Sequence, residues 1–358
     1  MLSGLLRKIG QAIGVLFGVA TLIFILFNVL SGDPARMMMD QREDEEVLAA
    51  IRAKYGLDQS LPTQYFYYLN DLSPLSWHSD EAQSYTHFEN HNYSGFEFVG
   101  IGEGHLALKW PYLRESMQQQ GRGVRDVIGE TLPNTAVLAV TSILIAVLFG
   151  ILIGVISALY KDGWFDRFWT VVGTLGMSLP SFFSAILIAW LFGFIWSSWT
   201  GLSMTGSLYE VDDYGTGRYL ALDNLILPAL TLGIRPLGVI IQLTRSSVLE
   251  TLNQDYIRTA RAKGLNTIQV VRRHVLRNSL NPVVTAVSGW FASMLAGAVF
   301  VEYIFGWNGL GKQIVDALNQ KDLPVVMGAV LTISALFVII NILVDFVYGW
   351  LDPRVRRG

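Results

Sequence analysis

DYIRTARAKGLNTIQVVRRHVLRNSLNP, residues Asp255–Pro282, is a basic, glycine-broken helical pattern between two long apolar runs. Its six cations after Asp255 are Arg258, Arg261, Lys263, Arg272, Arg273 and Arg277. A Lys or Arg at the centre of a bilayer costs about 2.5–3.5 kcal/mol on insertion scales, so this segment lies outside hydrocarbon. The pattern reads as two short helices around a turn at Gly264, a residue that takes positive φ without Cβ strain. Tyr256 and Ala260 fall at i, i+4 on one side of the first helix, and Leu265, Ile268, Val271 and Val275 form an apolar stripe on the second. Asn281-Pro282 supplies an N-cap and an N1 proline for the helix that follows. Two readings are open at this point: a cationic loop on anionic headgroups, or a docking surface for a soluble partner.

The flanking runs set the class. The chain has 358 residues, 52% of them hydrophobic and 15% charged, with a mean hydropathy of +0.41, too apolar for an ordinary soluble domain. A net charge of −3 gives no reason to expect a nucleic-acid partner. The absence of cysteine excludes thiolate metal sites, thiol catalysis and disulfides. A span needs about 20 mostly apolar residues. Six stretches qualify, about 9–30, 134–159, 168–196, 225–243, 283–301 and 325–350. The first is too long for a signal-peptide core and lacks a small-x-small cleavage site, so it reads as a retained helix.

Lys and Arg orient the spans. With a cytoplasmic N-terminus, segments 1–8, 160–167, 245–281 and 351–358 lie inside and hold 14 of the 26 basic residues, against 3 in the short outer loops 197–224 and 302–325. Both termini are then cytoplasmic, and 31–131 is a long outward loop. Its first part predicts a helix ending at Gly56 and a second near 63–72 with Tyr65, Phe66, Tyr67 and Tyr68 clustered; irregular or short-stranded structure follows to Gly104. Two spans carry breakers near their middles, Ser178-Leu179-Pro180-Ser181 and Arg235-Pro236, which predict kinks and mark candidates for a wet pathway. Gly306–Lys312 nearly spells a phosphate loop, but Gln313 stands where a Mg²⁺-ligating Ser or Thr belongs, and the preceding element is a transmembrane helix. His87 and His91 have metal-like spacing without a third ligand, so no metal site is expected. Glu302, at the outer end of the fifth span, reads as solvated.

Gln254–Leu265 (QDYIRTARAKGL) followed by Arg273–Pro282 (RHVLRNSLNP) resembles the cytoplasmic coupling loop of the membrane-spanning permease subunits of bacterial ABC importers, in their dipeptide/oligopeptide/nickel branch. Arg258 and Thr259 replace the generic Glu and first Ala of that loop, as in this branch; Ala260 and Gly264 are kept. Similar stretches run in order along nearly the whole chain: Gly56-Leu57-Asp58, Thr131–Thr135, Ser178–Phe182, Leu243–Ser247, Val301-Glu302, Gly309–Gly311 and Leu351–Arg354. The family's first outward loop is usually much shorter, so about 70–104 looks like an insertion, for which the resemblance implies nothing.

The resemblance implies an all-α membrane protein with six transmembrane helices and the type I ABC importer permease fold, with the long outward loop after the first helix. Its parts are residues 1–30, the loop region 31–131, and a core of five helices over 132–358 with the coupling loop at 246–281. It implies a non-catalytic subunit of the bacterial inner membrane, importing peptides or related small solutes. The implied partners are a second homologous permease, two cytoplasmic ATPase subunits that hold ATP and Mg²⁺, a periplasmic or lipid-anchored solute-binding protein, and membrane lipid. No cofactor is expected in this chain. Asp255, Tyr256, Arg258, Ala260, Arg261 and Gly264 become the ATPase-coupling residues, and Ser178, Pro180, Ser181, Arg235 and Pro236 the candidate pathway residues. Arg235 is the only cation deep in a span, and two roles are open to it: facing a peptide carboxylate, or pairing with an acid. Arg245 and Asp345, at similar depth, are expected to form an ion pair. The competing class, an ion-coupled secondary transporter acting without ATPase subunits, calls for inverted repeats and paired intramembrane acids, and neither is visible.

Overall fold

The computed structural model describes residues 2–30, 34–37 and 45–351, apart from 92, 120, 213 and 216; side chains of 2–6, 30, 34, 37, 295–297 and 345–351 are outside that description. The chain forms two compact units, residues 1–130 with 314–335 and residues 131–313 with 336–358. The first helix and nearly all of the long loop after it thus fall in one unit.

In the first unit, α1 (Leu2–Phe24) ends in a π-helical turn, Ile25–Leu30. Helix α2 (Glu45–Tyr55) stops at Gly56, whose φ of 65° makes the expected left-handed cap, with Leu57 N–H donating to the Arg52 carbonyl at 2.8 Å. Helix α3 (Leu61–Leu72) starts with a proline in its first turn. Its aromatic cluster divides by helical phase: Tyr65 and Tyr68 pack on α1 at ring distances of 5.0 and 5.7 Å from Phe24, and Phe66 stays exposed. This contact, with Ala20, Ile23 and Met327, ties the loop region to the first helix.

The stretch expected to be an insertion forms a small sheet. Strands β1 (Leu75–Ser79), β2 (Gly95–Gly100) and β3 (Gly104–Lys109) form an antiparallel sheet in the order β1-β3-β2. Leu75, Leu108 and Phe96 stand abreast across it, all exposed. Beneath the sheet lies the buried carboxylate of Asp71, which accepts from Tyr93 Oη at 2.7 Å, Arg114 Nε at 2.9 Å and Tyr85 Oη at 3.1 Å. Lys109 Nζ donates to the Asp71 main-chain carbonyl at 2.5 Å; burial lowers the Lys109 pKa to about 8. His78 is fully buried between Ser76 Oγ and the Thr86 carbonyl, each at 2.8 Å.

Helix α4 (Val124–Leu159), whose residues from 131 on belong to the second unit, begins ten residues before the expected span, with Pro133 inside it. Helices α5 (Trp164–Ser178) and α6 (Ser181–Trp190) follow; α6 continues as a π turn, Leu191–Ile195. A short ribbon of β4 (Tyr209–Val211) and β5 (Arg218–Leu220) precedes α7 (Asp223–Leu252) and α8 (Asp255–Ala262). Then come α9 (Asn281–Phe305), α10 (Leu310–Asn319) and α11 (Leu323–Leu351). Asn281 is the first residue inside α9, and Leu280 occupies the cap position expected for Asn281.

Among the described residues, four helices are long and apolar enough to span a membrane: Arg7–Val29, Val124–Leu159, Asp223–Leu252 and Leu323–Val344. Two further pairs qualify as bent units, Trp164–Ser178 with Ser181–Ile195 at 115°, and Asn281–Met294 with Ala298–Phe305 at 56°. Counting each pair once gives the expected six. The two proline sites behave differently. At Pro180 the kink expected within one span is a full break, because Leu179 leaves the helix at ψ 135° and Pro180 has no N–H with which to resume it. At Pro236 the helix does not break, and α7 stays helical past both Pro228 and Pro236. Packing holds it. A Cβ on Gly238 would sit 2.4 Å from the Gly173 carbonyl of α5, and one on Gly154 of α4 would sit 2.6 Å from Thr244 Cβ, so neighbours grip α7 at backbone distance.

Two expectations follow for the insertion. Arg114→Met removes the strongest partner of a buried carboxylate and should destabilise the first unit by about 3–5 kcal/mol, read as a lower thermal midpoint of the purified protein. Burial, partly offset by the bond to the Thr86 carbonyl, holds the His78 pKa below its ordinary value. The folded state then binds fewer protons than the unfolded one below about pH 6.5, so the stability present at pH 7 is lost as pH falls. Amide exchange in β1 and β3, corrected for intrinsic rates, should accelerate between about pH 7 and 5.5, and His78→Gln should flatten that dependence.

Candidate functional site

Helix α8 is eight residues long, too short to hold by itself in water. Asp255 in its first turn and Arg261 in its last complement the helix dipole. Its main support is apolar: Ile257 and Ala260 are buried against Val248 of α7, Ala158 of α4, Val270 and Val275. At Gly264 the chain turns with φ of 82°, and a Cβ there would meet nothing, so the glycine is required by conformation and not by space. Asn266 and Gln269 then close a reciprocal capping box at 2.9 and 3.1 Å that starts the next helical turn.

This corrects the expected faces. Ala260 is buried with Ile257, three residues earlier, while Tyr256 lies on the outer surface, its hydroxyl accepting from Asn278 Nδ2 at 2.9 Å. Ile268, expected in the apolar stripe, is 78% exposed, and Val270 takes the inner position. The capping box fixes the phase of that helix, and a π turn over Val271–Val275 shifts it again, neither of which a 3.6-residue count includes. The outer surface carries Tyr256, Arg258, Arg261, Lys263, Gly264 and Ile268, an apolar and cationic face. Arg258 and Asp255, both highly exposed, approach only to 3.8 Å, a pair of negligible strength in water.

The candidate pathway residues divide into two groups. Ser181 and Arg235 meet at a small open cleft of about 50 Å³, with Thr231, Leu232, Trp290, Ser293 and Met294. Ser178 turns its hydroxyl back to the Thr174 carbonyl at 2.8 Å, Pro180 makes the break, and Pro236 is buried in α7; none of these three lines the cleft.

Arg245 is held by a different partner from the one expected. Its Nε and Nη2 reach the two carboxylate oxygens of Asp166 at 2.5 and 2.7 Å, a bidentate pair that joins α7 to the start of α5. The side chain of Asp345 lies outside the described residues.

Glu302 is fully buried, not solvated. Its Oε2 accepts from the main-chain N–H of Gly311 at 2.6 Å and Lys312 at 3.1 Å. A Cβ on Gly309 would collide with that carboxyl at 2.4 Å. The loop that nearly spells a phosphate site thus wraps a carboxylate of its own chain. Trp307, also fully buried, donates from Nε1 to the Asn134 carbonyl at 3.1 Å, and Thr135 Oγ1 accepts from Leu310 N–H at 2.8 Å. Two separated sequence stretches, 131–135 and 306–311, are therefore one structural joint. Sequence reading missed it because an acid at a span end looks solvated until its donors are known.

Comparison with known proteins bears on the whole chain. A family model described as "Binding-protein-dependent transport system inner membrane component" matches residues 150–357, and one for the N-terminal part of such membrane components matches residues 1–79. The di/tripeptide transport system permease protein of Pseudomonas aeruginosa is 35% identical, covering 100% of this chain and 99% of that protein. A putative peptide permease protein of Brucella suis is 33% identical over 99% of both chains. The dipeptide transport system permease protein of Escherichia coli K12 is 32% identical over 100% of this chain and 99% of that one. Among solved structures, the MetNI methionine ABC transporter in an inward facing conformation matches 64% of this chain and 97% of its own with a TM-score of 0.48 at 14% identity.

The turn at Gly264 separates conformation from bulk. Gly264→Asn, which tolerates positive φ, should retain most function, whereas β-branched Gly264→Val should lose it although the site has room for the side chain. Membrane insertion and co-purification of ATPase activity with each variant measure the outcome; equal behaviour of Asn and Val would show that the turn conformation is not what matters.

Proposed function

Because the chain belongs to the family of binding-protein-dependent transport system inner membrane components, we propose that it forms half of the translocation pathway of an ATP-driven importer for peptides or related small solutes. It is a multi-pass membrane subunit, and full-length relatives are peptide permeases by name. Its partners in this reading are a second homologous permease, two ATPase subunits that bind ATP and Mg²⁺, and an external solute-binding protein. The excess of Lys and Arg in segments 1–8, 160–167, 245–281 and 351–358 supports cytoplasmic termini and a cytoplasmic docking segment.

One observation carries the reading: α8 is anchored by Ile257 and Ala260 to the ends of α4 and α7, while its other face offers Tyr256, Arg258 and Arg261 to a partner, joined by Ile268 from the turn beyond Gly264. A docking element must grip on one face and transmit on the other. ATP binding that closes the ATPase pair displaces α8, and the anchor passes that displacement to α7. Since α7 lines the cleft at Thr231, Leu232 and Arg235, the displacement reaches the pathway and switches its access. In this reading the chain binds and conducts the solute and leaves hydrolysis to its partners.

Reconstitution tests this. The chain, its partner permease, both ATPase subunits and the binding protein in proteoliposomes should accumulate dipeptide only with ATP and the loaded binding protein, and Ile257→Asp should abolish uptake. Accumulation driven by an ion gradient without the ATPase subunits would overturn the proposal.

A further inference from the structure

Arg235 lies within a helix that qualifies as a membrane span, 12 residues after its start at Asp223, and its side chain is exposed. A cation at such a place is retained only where water, an acid or a polar ligand compensates it. Among the described residues no carboxylate pairs with it. Its one contact is aromatic, with the guanidinium carbon 6.0 Å from the centre of the Trp290 ring. That leaves the in-plane N–H donors unused, because cation–π stacking engages only the guanidinium face.

Two further polar groups open on the same cleft. The hydroxyls of Ser181 and Ser293 have no hydrogen-bond partner among the described residues, whereas the nearby Thr231 hydroxyl is satisfied by the Leu227 carbonyl at 2.7 Å. Ser181 is also the first residue of α6 after the Pro180 break, where main-chain N–H groups lack intrahelical acceptors. The cleft thus gathers a fork of charged donors, two free hydroxyls and a helix start, and no carboxylate lines it. The remaining walls, Leu232, Trp290 and Met294, are apolar and suit a side chain more than a second charge.

We infer that this cleft is a subsite for the C-terminal carboxylate of a peptide in transit, with Arg235 as the charged donor, Ser181 and Ser293 as hydroxyl donors, and Trp290 holding the guanidinium in plane. The inference rests on the proposed peptide transport. It assigns this half of the pathway to one end of the substrate. A fork that pairs a carboxylate bidentately reads the charge and the planar shape of that end while ignoring the side chains, as a pathway serving many sequences requires.

The test uses the reconstituted complex with its binding protein, comparing uptake of radiolabelled alanyl-alanine with that of its C-terminal amide. Because both variants and wild type share one binding protein, its own preference cancels in the ratio. Arg235→Gln should reduce uptake of the free acid at least about tenfold and leave the amide within about twofold, with Arg235→Lys between. Equal loss of both peptides, as expected if Arg235 pairs with an acid of the partner permease, overturns the subsite; so does no loss of either. If wild type does not carry the amide, photolabelling decides. A dipeptide with a diazirine side chain on its C-terminal residue should label Trp290 or Met294 during turnover, and labelling confined to other segments overturns the assignment. Absence of ATP-dependent peptide uptake by the wild-type complex would count against the transport reading itself, not against the subsite.

Discussion

The rest of the second unit depends on how closely helices approach α7. Water drives little association between apolar helices in a bilayer, since lipid tails are as apolar as leucine, so packing has to come from close backbone contact. Gly150 and Gly154 of α4 face Ile240 and Thr244 of α7, and Gly173 of α5 meets Gly238 of α7 with no room for a Cβ between them. The bidentate pair of Arg245 and Asp166 closes the same seam. Held from two sides, α7 keeps a helical course through two prolines that would break a solitary helix, at about 3 kcal/mol each.

This rigidity gives the two functional regions a common frame. The proposed docking segment is fastened to α7 near Val248, and the cleft is built on α7 at Thr231 and Arg235. Neither would signal to the other through a flexible connection. By contrast, α6 starts afresh after a 115° break, so the wall it contributes at Ser181 is positioned separately from α5. The cleft therefore joins a fixed element to one whose angle is set by a loop.

Features governed by local chemistry were legible from sequence. Apolar length revealed the spans, Gly56 and Gly264 marked turns that do have positive φ, and Pro180 marked a real break. Features governed by distant partners were not. Pro236 carries the same local signal as Pro180, yet α7, gripped by its neighbours, stays helical through it. The strands of the insertion are individually unremarkable; they are set by pairing, and by an aspartate whose donors come from residues up to 43 positions away. Glu302 and the glycine loop gave a misleading signal, because a nest of main-chain N–H groups looks the same whether its anion is a phosphate or a neighbouring side chain. In the docking segment the charged residues were correctly exposed, but a capping box and a π turn moved Ile268 outward and Val270 inward.

The length of α7 has a mechanical consequence. From Arg235 to Leu252 the helix rises about 1.5 Å per residue, which makes an arm of roughly 25 Å. A rigid arm amplifies: tilting it by about 10° around its docking end carries the guanidinium sideways by roughly 4 Å, more than the length of a hydrogen bond. On the proposed reading, a rotation of about 10° at the Leu252 end is thus enough to part Arg235 from a carboxylate bound there. On that reading, release of the cargo is a matter of leverage, and the stiffness of one helix sets the gearing.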